Sequence, residues 1–523
     1  MAGTSRVRRL PLLCVTALVV LLVPLAAVAQ QPTPTPSPAP PGPPATPPGA
    51  PPAAPAPPGL APPGAPGAAA PPPEATPAPT PVPAGPPVLA PGGPAASPVV
   101  PLPERAGPAA APAGPIGTFR FAPALEAVGP LRVRVFGTVE EEFTDNARQT
   151  KRNRESEFRT SLAPGIEARI DRPNTSAQAI YAPRYVIRSD IDSTLDQALT
   201  LRGRWRPTPF IELGAGDDLI QSTDFRDVED PGSRRRTSNN GYLQNRSAVD
   251  AALVRPGGRV GLSYSHTLVL NEAEDADDSQ THVVRPDFLL QTPRWSLGGG
   301  YAATRGEFNI DSSYWEHTLD GRYTRLLTPA LDGIVSGLFT YHDADDAAAI
   351  DFLIGRARVG AGWTLTPEQR LEALAGFDVL DPDNDDATVR PSGAFSYTQR
   401  FPWFALSATY DVGYRERFQD VDNAGVAFTQ TAAVLLQTTA FRALTGTLAL
   451  RWTYSDFEQS TSAVTAGVTE NTWDLELGVR YQFLRPLFAS AGYVLTVRSS
   501  DDPNAEFVEN RVRLSLTYTF DLL

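Results

Sequence analysis

Four histidines carry most of the sequence's capacity for metal or acid–base chemistry. His266 and His282 flank one acidic loop, His317 lies in a strand-like run and His342 stands at a loop edge. No two of them have metal-ligand spacing, and no serine and acid join them in a recognisable nucleophilic set. Rim and loop histidines of no special role account for all four. "DPDNDDATV" (Asp381–Val389) begins like a calcium loop, but Asp386 replaces the glycine of the sixth position and Ser392 the glutamate of the twelfth. It reads instead as an acidic external loop, as do "EAEDADD" (Glu272–Asp278) and the group Asp343, Asp345 and Asp346. "GGGYAATRG" (Gly298–Gly306) lacks the lysine of a phosphate loop and reads as a strand whose glycines permit close approach beside Tyr301. No catalytic residue, cofactor or metal site is expected, and the chain reads as a non-enzyme.

The remaining candidates are charged residues, and what they face depends on the elements that carry them. In "WDLELGVRYQF", Trp473, Leu475, Leu477, Val479, Tyr481 and Phe483 alternate with Asp474, Glu476, Gly478, Arg480 and Gln482. "TGTLALRWTYS" and "RVRLSLTYTF" alternate in the same way, and such runs recur from Leu131 to Phe520. A period of two is the signature of a strand. Short turns fall near Pro173, Pro207, Pro256, Pro293, Pro329, Pro367, Pro402, Ala443 and Pro486. Longer polar loops lie between them, at 144–156, 189–195, 222–239, 271–278, 343–349, 382–386, 417–424, 458–469 and 500–505. Short turns at one end and long loops at the other predict an all-β, antiparallel, up-and-down transmembrane β-barrel. The count is about 20 strands, with 16 or 18 left open by the weakly patterned stretches.

A membrane barrel fits better than a soluble sheet. The runs reach the roughly ten residues that a tilted strand needs to cross a bilayer. Arg451, Glu476 and Arg480 occupy mid-strand positions that a packed interior rejects and a wet lumen accepts. Aromatics gather toward strand ends, at Tyr314/Trp315, Trp363, Trp403, Trp452/Tyr454, Trp473 and Tyr481/Phe483, as interfacial girdles do. On this reading the bilayer takes the place of an apolar core. Lumen-lining candidates are then Arg132, Arg134, Arg202, Arg204, Arg322, Arg356, Arg358, Arg451, Asp474, Glu476, Arg480, Arg511 and Arg513. Their distribution predicts an arginine-rich lumen toward the short-turn end, with acids such as Glu167, Asp320, Asp474 and Glu476 as pairing partners.

The N-terminal part differs in kind. Arg6, Arg8 and Arg9 precede an apolar run, and Ala27-Val28-Ala29 supplies the small residues of a cleavage site before Gln30, so 1–29 reads as a signal peptide. Of the 55 prolines, 35 lie in 30–116, a Pro/Ala/Gly-rich stretch expected to be a disordered periplasmic tether. Residues 117–130 form a short lead-in and 131–523 the barrel. Loss of the signal removes three arginines and no acid, taking the formal charge from −13 to −16, which excludes nucleic acid as a partner. Cys14, the one cysteine, leaves with the signal.

The strand ending "EEEFTDN" (Glu140–Asn146), the strand "SLAPGIEARI" (Ser161–Ile170) and a last strand closing on Phe520 carry a resemblance to outer-membrane β-barrel, porin-like proteins. Some of these are associated with exopolysaccharide assembly. Asp521-Leu522-Leu523 follow the aromatic on which such assembly signals usually end. The resemblance implies an outer-membrane location in a Gram-negative-type bacterium and contact with outer-membrane lipid, lipopolysaccharide and the barrel-assembly machinery. It also implies a pore or passage for polar solutes or an exported, anionic polysaccharide. A non-conducting structural or surface-interaction barrel is the rival expectation, and an outer-membrane hydrolase the weaker one.

Overall fold

The alternating runs all become strands in the computed structural model, which describes residues 131–522 apart from 190–191, 224–240, 273–277, 310–312, 346–350, 384, 417–424, 442, 461–466 and 502–505. The signal peptide, the tether and the lead-in lie outside the described residues. The first ten strands are β1 (Leu131–Thr144), β2 (Glu157–Arg172), β3 (Thr175–Arg188), β4 (Thr194–Thr208), β5 (Ile211–Ser222), β6 (Tyr242–Arg255), β7 (Gly258–Asn271), β8 (Ser279–Gln291), β9 (Trp295–Phe308) and β10 (Tyr314–Thr328). The second ten are β11 (Leu331–Ala344), β12 (Phe352–Thr366), β13 (Gln369–Pro382), β14 (Thr388–Arg400), β15 (Phe404–Glu416), β16 (Gly425–Phe441), β17 (Leu444–Ser460), β18 (Thr469–Leu484), β19 (Leu487–Ser500) and β20 (Phe507–Asp521). Each pairs antiparallel with its neighbour in sequence, and β20 pairs with β1 from Arg134↔Asp521 to Thr144↔Arg511. The sheet is therefore a closed barrel of 20 strands. Closure matters because an open edge would leave backbone amides facing lipid. Asp521 has a place in that closure, since Arg134 Nε donates to its Oδ1 at 2.7 Å across the seam.

All nine expected short turns are present, and the long connections number ten, one more than the sequence suggested. The additional one joins β9 to β10 through 309–313, a polar stretch without the proline or glycine that would mark a break between two strands.

Alternation sorts side chains between two surroundings. On β18, Trp473, Leu477, Val479 and Tyr481 are exposed on the outer face, while Asp474, Glu476 and Arg480 turn inward. Leu319, at 57 % exposure, and Val359, at 63 %, belong to the same outer apolar face. A bilayer removes this face from water, which makes the exposure favourable. No helix among the described residues is long and apolar enough to cross a membrane; the strands are the spanning elements. Tyr314 departs from the expected girdle. It shares the inner face of β10 with Glu316 and is buried, its ring 4.7 Å from that of His342.

The ladder is shortest between β14 and β15. β14 pairs with β15 only from Gly393↔Val412 to Arg400↔Ala405, leaving Thr388–Ser392 and Gly413–Glu416 unpaired with each other. Beyond Val412 the end of β15 leans over β13, and β16 follows it through Glu416↔Val426. Residues that alternation assigns to the outer face thereby land on the inner wall. Tyr414, Val426 and Phe428 pack with Phe352, Ile354 and Leu380 in one buried cluster. The expectation that the bilayer alone replaces an apolar core is corrected here: a small apolar core sits inside the barrel, under this inward-folded flap.

Candidate functional site: the charged lumen and its inward flap

The inner wall is built from charged and polar side chains, most of them held by partners on neighbouring strands. Arg322 Nη2 meets Glu372 Oε1 at 2.7 Å, and Arg285 Nη2 meets Asp320 Oδ1 at 2.8 Å. That second contact runs from β8 to β10 across Gly300 of β9, where a Cβ would stand 3.1 Å from the guanidinium. Arg202 pairs with Asp218, and Arg513 with Glu142. Glu157, Arg159 and Arg188 extend the latter pair into a buried network toward the long loops. Arg480 lies over the Phe488 ring, 3.5 Å from its centroid. Asp474 accepts from Thr496 Oγ1 at 2.9 Å and stands opposite Arg451 in the ladder. The acids that hold the arginines are thus mostly others than those expected, because a guanidinium reaches one to three strands sideways, a distance that the one-dimensional pattern does not encode. Of the four expected acids, Glu167 lies 3.8 Å from Arg134 and Asp320 holds Arg285.

The expected gathering of arginines at the short-turn end is corrected. Arg132, Arg134, Arg202, Arg204 and Arg480 do lie there. Arg356 and Arg358 lie nearer the long-loop end of β12, as Arg511 and Arg513 do on β20; Arg322 stands on β10 at the level that Arg202 has on β4, and Arg451 is near mid-strand. Arg132 and Arg204 are exposed in the lumen and make no ion pair among the described residues. The inner wall is open to solvent at the short-turn end, where the Arg202 side chain is 51 % exposed. Toward the long loops its side chains are packed together, with Glu142, Asp196, Glu316, Arg358 and Asp378 all buried.

The packed part is organised by the flap. Arg356 binds Asp378 through Nε at 2.9 Å and Nη2 at 2.7 Å, and Nη2 also donates to the Tyr414 carbonyl at 2.7 Å. Asp378 accepts from the Tyr414 amide at 2.9 Å. Arg358 Nη1 donates to Asp411 at 2.7 Å and its Nη2 to the Val412 carbonyl at 2.6 Å. Two arginines and one aspartate of the wall thus replace ladder bonds that β15 gave up by leaving β14, as buried backbone groups require. Gly413 makes the approach feasible, since a Cβ there would stand 2.6 Å from Arg356 Nη2 and closer still to Asp378. Farther along, Arg390 of β14 donates to Asp456 at 3.0 Å, pairs with Glu458 and lies 4.8 Å over Phe428. Tyr414 Oη donates to Glu458 Oε2 at 2.6 Å.

The histidines divide. His266, His282 and His317 face outward, with His266 and His282 stacked 4.6 Å apart and His317 within 2.7 Å of Tyr301 Oη. His342 faces inward beside Glu316 and Glu416, a grouping that spacing could not suggest because its members come from three strands. Asp381–Val389 forms the end of β13, a bend and the start of β14. At the long-loop rim, hydrogen bonds from Arg305 hold the Asp345 carboxyl below the ordinary carboxylate range, and those from the Thr469 hydroxyl and amide do the same for Asp501.

Residues 312–520, covering β10 to β20, match the family model described as "Putative beta-barrel porin 2". Among solved structures, the siderophore receptor PirA from Pseudomonas aeruginosa is 12 % identical over 74 % of this chain and 80 % of its own, with a TM-score of 0.45. OccAB3 from Acinetobacter baumannii is 10 % identical over 75 % of this chain and 99 % of its own, at a TM-score of 0.39. Pseudomonas aeruginosa OccK2 (OpdF), solved in complex with glucuronate, is 13 % identical over 75 % and 98 %, also at 0.39. Scores this low give those structures no weight in assigning a solute. No curated protein matches the chain.

Proposed function

We propose that this chain, a porin-like outer-membrane β-barrel, is a passage for polar solutes and carries out no reaction of its own. The observation that carries the reading is the two-faced wall: an apolar outer face around the barrel and a charged inner face. We set the short turns and the N-terminal tether in the periplasm, where the signal peptide would deliver them and the assembly machinery would meet them. The outer apolar face then meets lipid, and the long loops meet lipopolysaccharide. An anionic polysaccharide is the wider version of the proposal; it would enter at the open short-turn end and have to displace the flap on leaving.

Most lumen arginines are neutralised by partners, so selectivity rests on the few that are not. Basic side chains around a pore favour anions. The purified protein in planar bilayers is expected to show stepwise conductance, with reversal potentials in a salt gradient giving a weak anion preference. Arg132→Gln with Arg204→Gln should remove the preference and leave the conductance. A clear cation preference would sink the anion version. The packed long-loop half favours a second reading, a non-conducting surface barrel, and a folded protein without conductance would establish it.

A further inference from the structure

Three metal-ligating side chains converge beneath the flap. Glu316 of β10 and His342 of β11 stand opposite one another in the ladder and face inward. Glu416 arrives at the end of β15, on the same face as Tyr414, the face that packs against the wall. One ligand atom from each lies within 4.8 Å of the other two. Glu316 is 1 % exposed and His342 3 %.

The wall ligands are held in place by neighbours. The His342 ring lies between those of Tyr314 and Phe352, each 4.7 Å away and the second tilted by only 7°. Thr318 Oγ1 donates to Glu316 Oε1 at 3.0 Å and is itself 3.2 Å from Thr340 Oγ1. Metal centres fix their ligands through such surrounding contacts. One imidazole nitrogen with two carboxylates suits a borderline divalent ion such as Zn²⁺ or Co²⁺. It suits Ca²⁺ poorly, because that ion takes about six to eight oxygens. Bonds of about 2.0–2.2 Å require the three donor atoms to draw together by roughly an ångström, within the reach of a glutamate rotamer.

We propose that Glu316, His342 and Glu416 form a divalent transition-metal site that latches the inward-folded end of β15 to the barrel wall. The test uses the full chain in detergent, stripped with a chelator. Co²⁺ is titrated and read by its visible d–d absorption, then displaced by Zn²⁺ in competition with a chromophoric chelator. The expected result is one ion per chain, with affinity lowered about 10–100-fold or more in His342→Gln and in Glu416→Gln. A heat-modifiable gel shift establishes that each variant is folded; Glu416 lies at a strand tip, where substitution leaves closure intact. Zn²⁺ should also slow tryptic cleavage after Arg415 about tenfold in the wild type and not in Glu416→Gln, by the mass-action protection of a bound state. Absence of stoichiometric binding would overturn the site, and so would binding that both substitutions leave unchanged, which would place the ion on the acidic loops. An unchanged cleavage rate would overturn the latch.

Discussion

Arg356→Ala should release the flap, raising single-channel conductance while lowering the stability of the folded barrel by about 3–5 kcal/mol, the usual consequence of removing one partner of a buried ion pair. The size follows from what remains. Asp378 is 0 % exposed and would lose its closest guanidinium. The Tyr414 carbonyl would lose its donor as well. Conductance steps in planar bilayers and urea unfolding midpoints in detergent are the two readouts. Gly413→Val separates docking from charge, because it leaves the Arg356–Asp378 pair in place and blocks the approach sterically. It should raise conductance with less loss of stability. Wild-type conductance in both variants would show that the flap does not limit the passage.

The second large effect concerns the outer face. Val359→Arg places a cation near the middle of β12, at the most lipid-exposed level, and should cost about 2–4 kcal/mol. Glu476→Gln, an inward change on β18, should cost far less and alter the current instead. Reversible unfolding of both variants into lipid vesicles would check the contrast. Equal costs would mean that Val359 does not face hydrocarbon.

Period-two alternation made the barrel, its nine short turns and the sidedness of "WDLELGVRYQF" legible from sequence, because each of these is local along the chain. Other features depend on sideways contact and were not legible. Arg285 reaches Asp320 over a glycine of the strand between them, and no run of residues announces that. Glu316, His342 and Glu416 meet only because β15 leaves its neighbour. Alternation itself misassigns Tyr414, Phe428, Asp456 and Glu458, whose outer-face positions pack on the inner wall or its side chains once the strand ends turn inward. The apolar residues among them are still buried away from water, but under the flap instead of in lipid.

The half-length ladder between β14 and β15 also sets a clock. Gly393↔Val412 to Arg400↔Ala405 is the shortest pairing in the cylinder, and the flap above it is held by side chains. Local openings sample the least-bonded region first. Backbone amides of Gly413–Glu416 and of Thr388–Ser392 should therefore exchange with deuterium well before those at the β1–β20 seam, where pairing runs unbroken from Arg134 to Thr144. Uniform protection around the cylinder would contradict this order. A barrel closed in space thus has a weakest joint in time, and it coincides with the boundary of the inward-folded element.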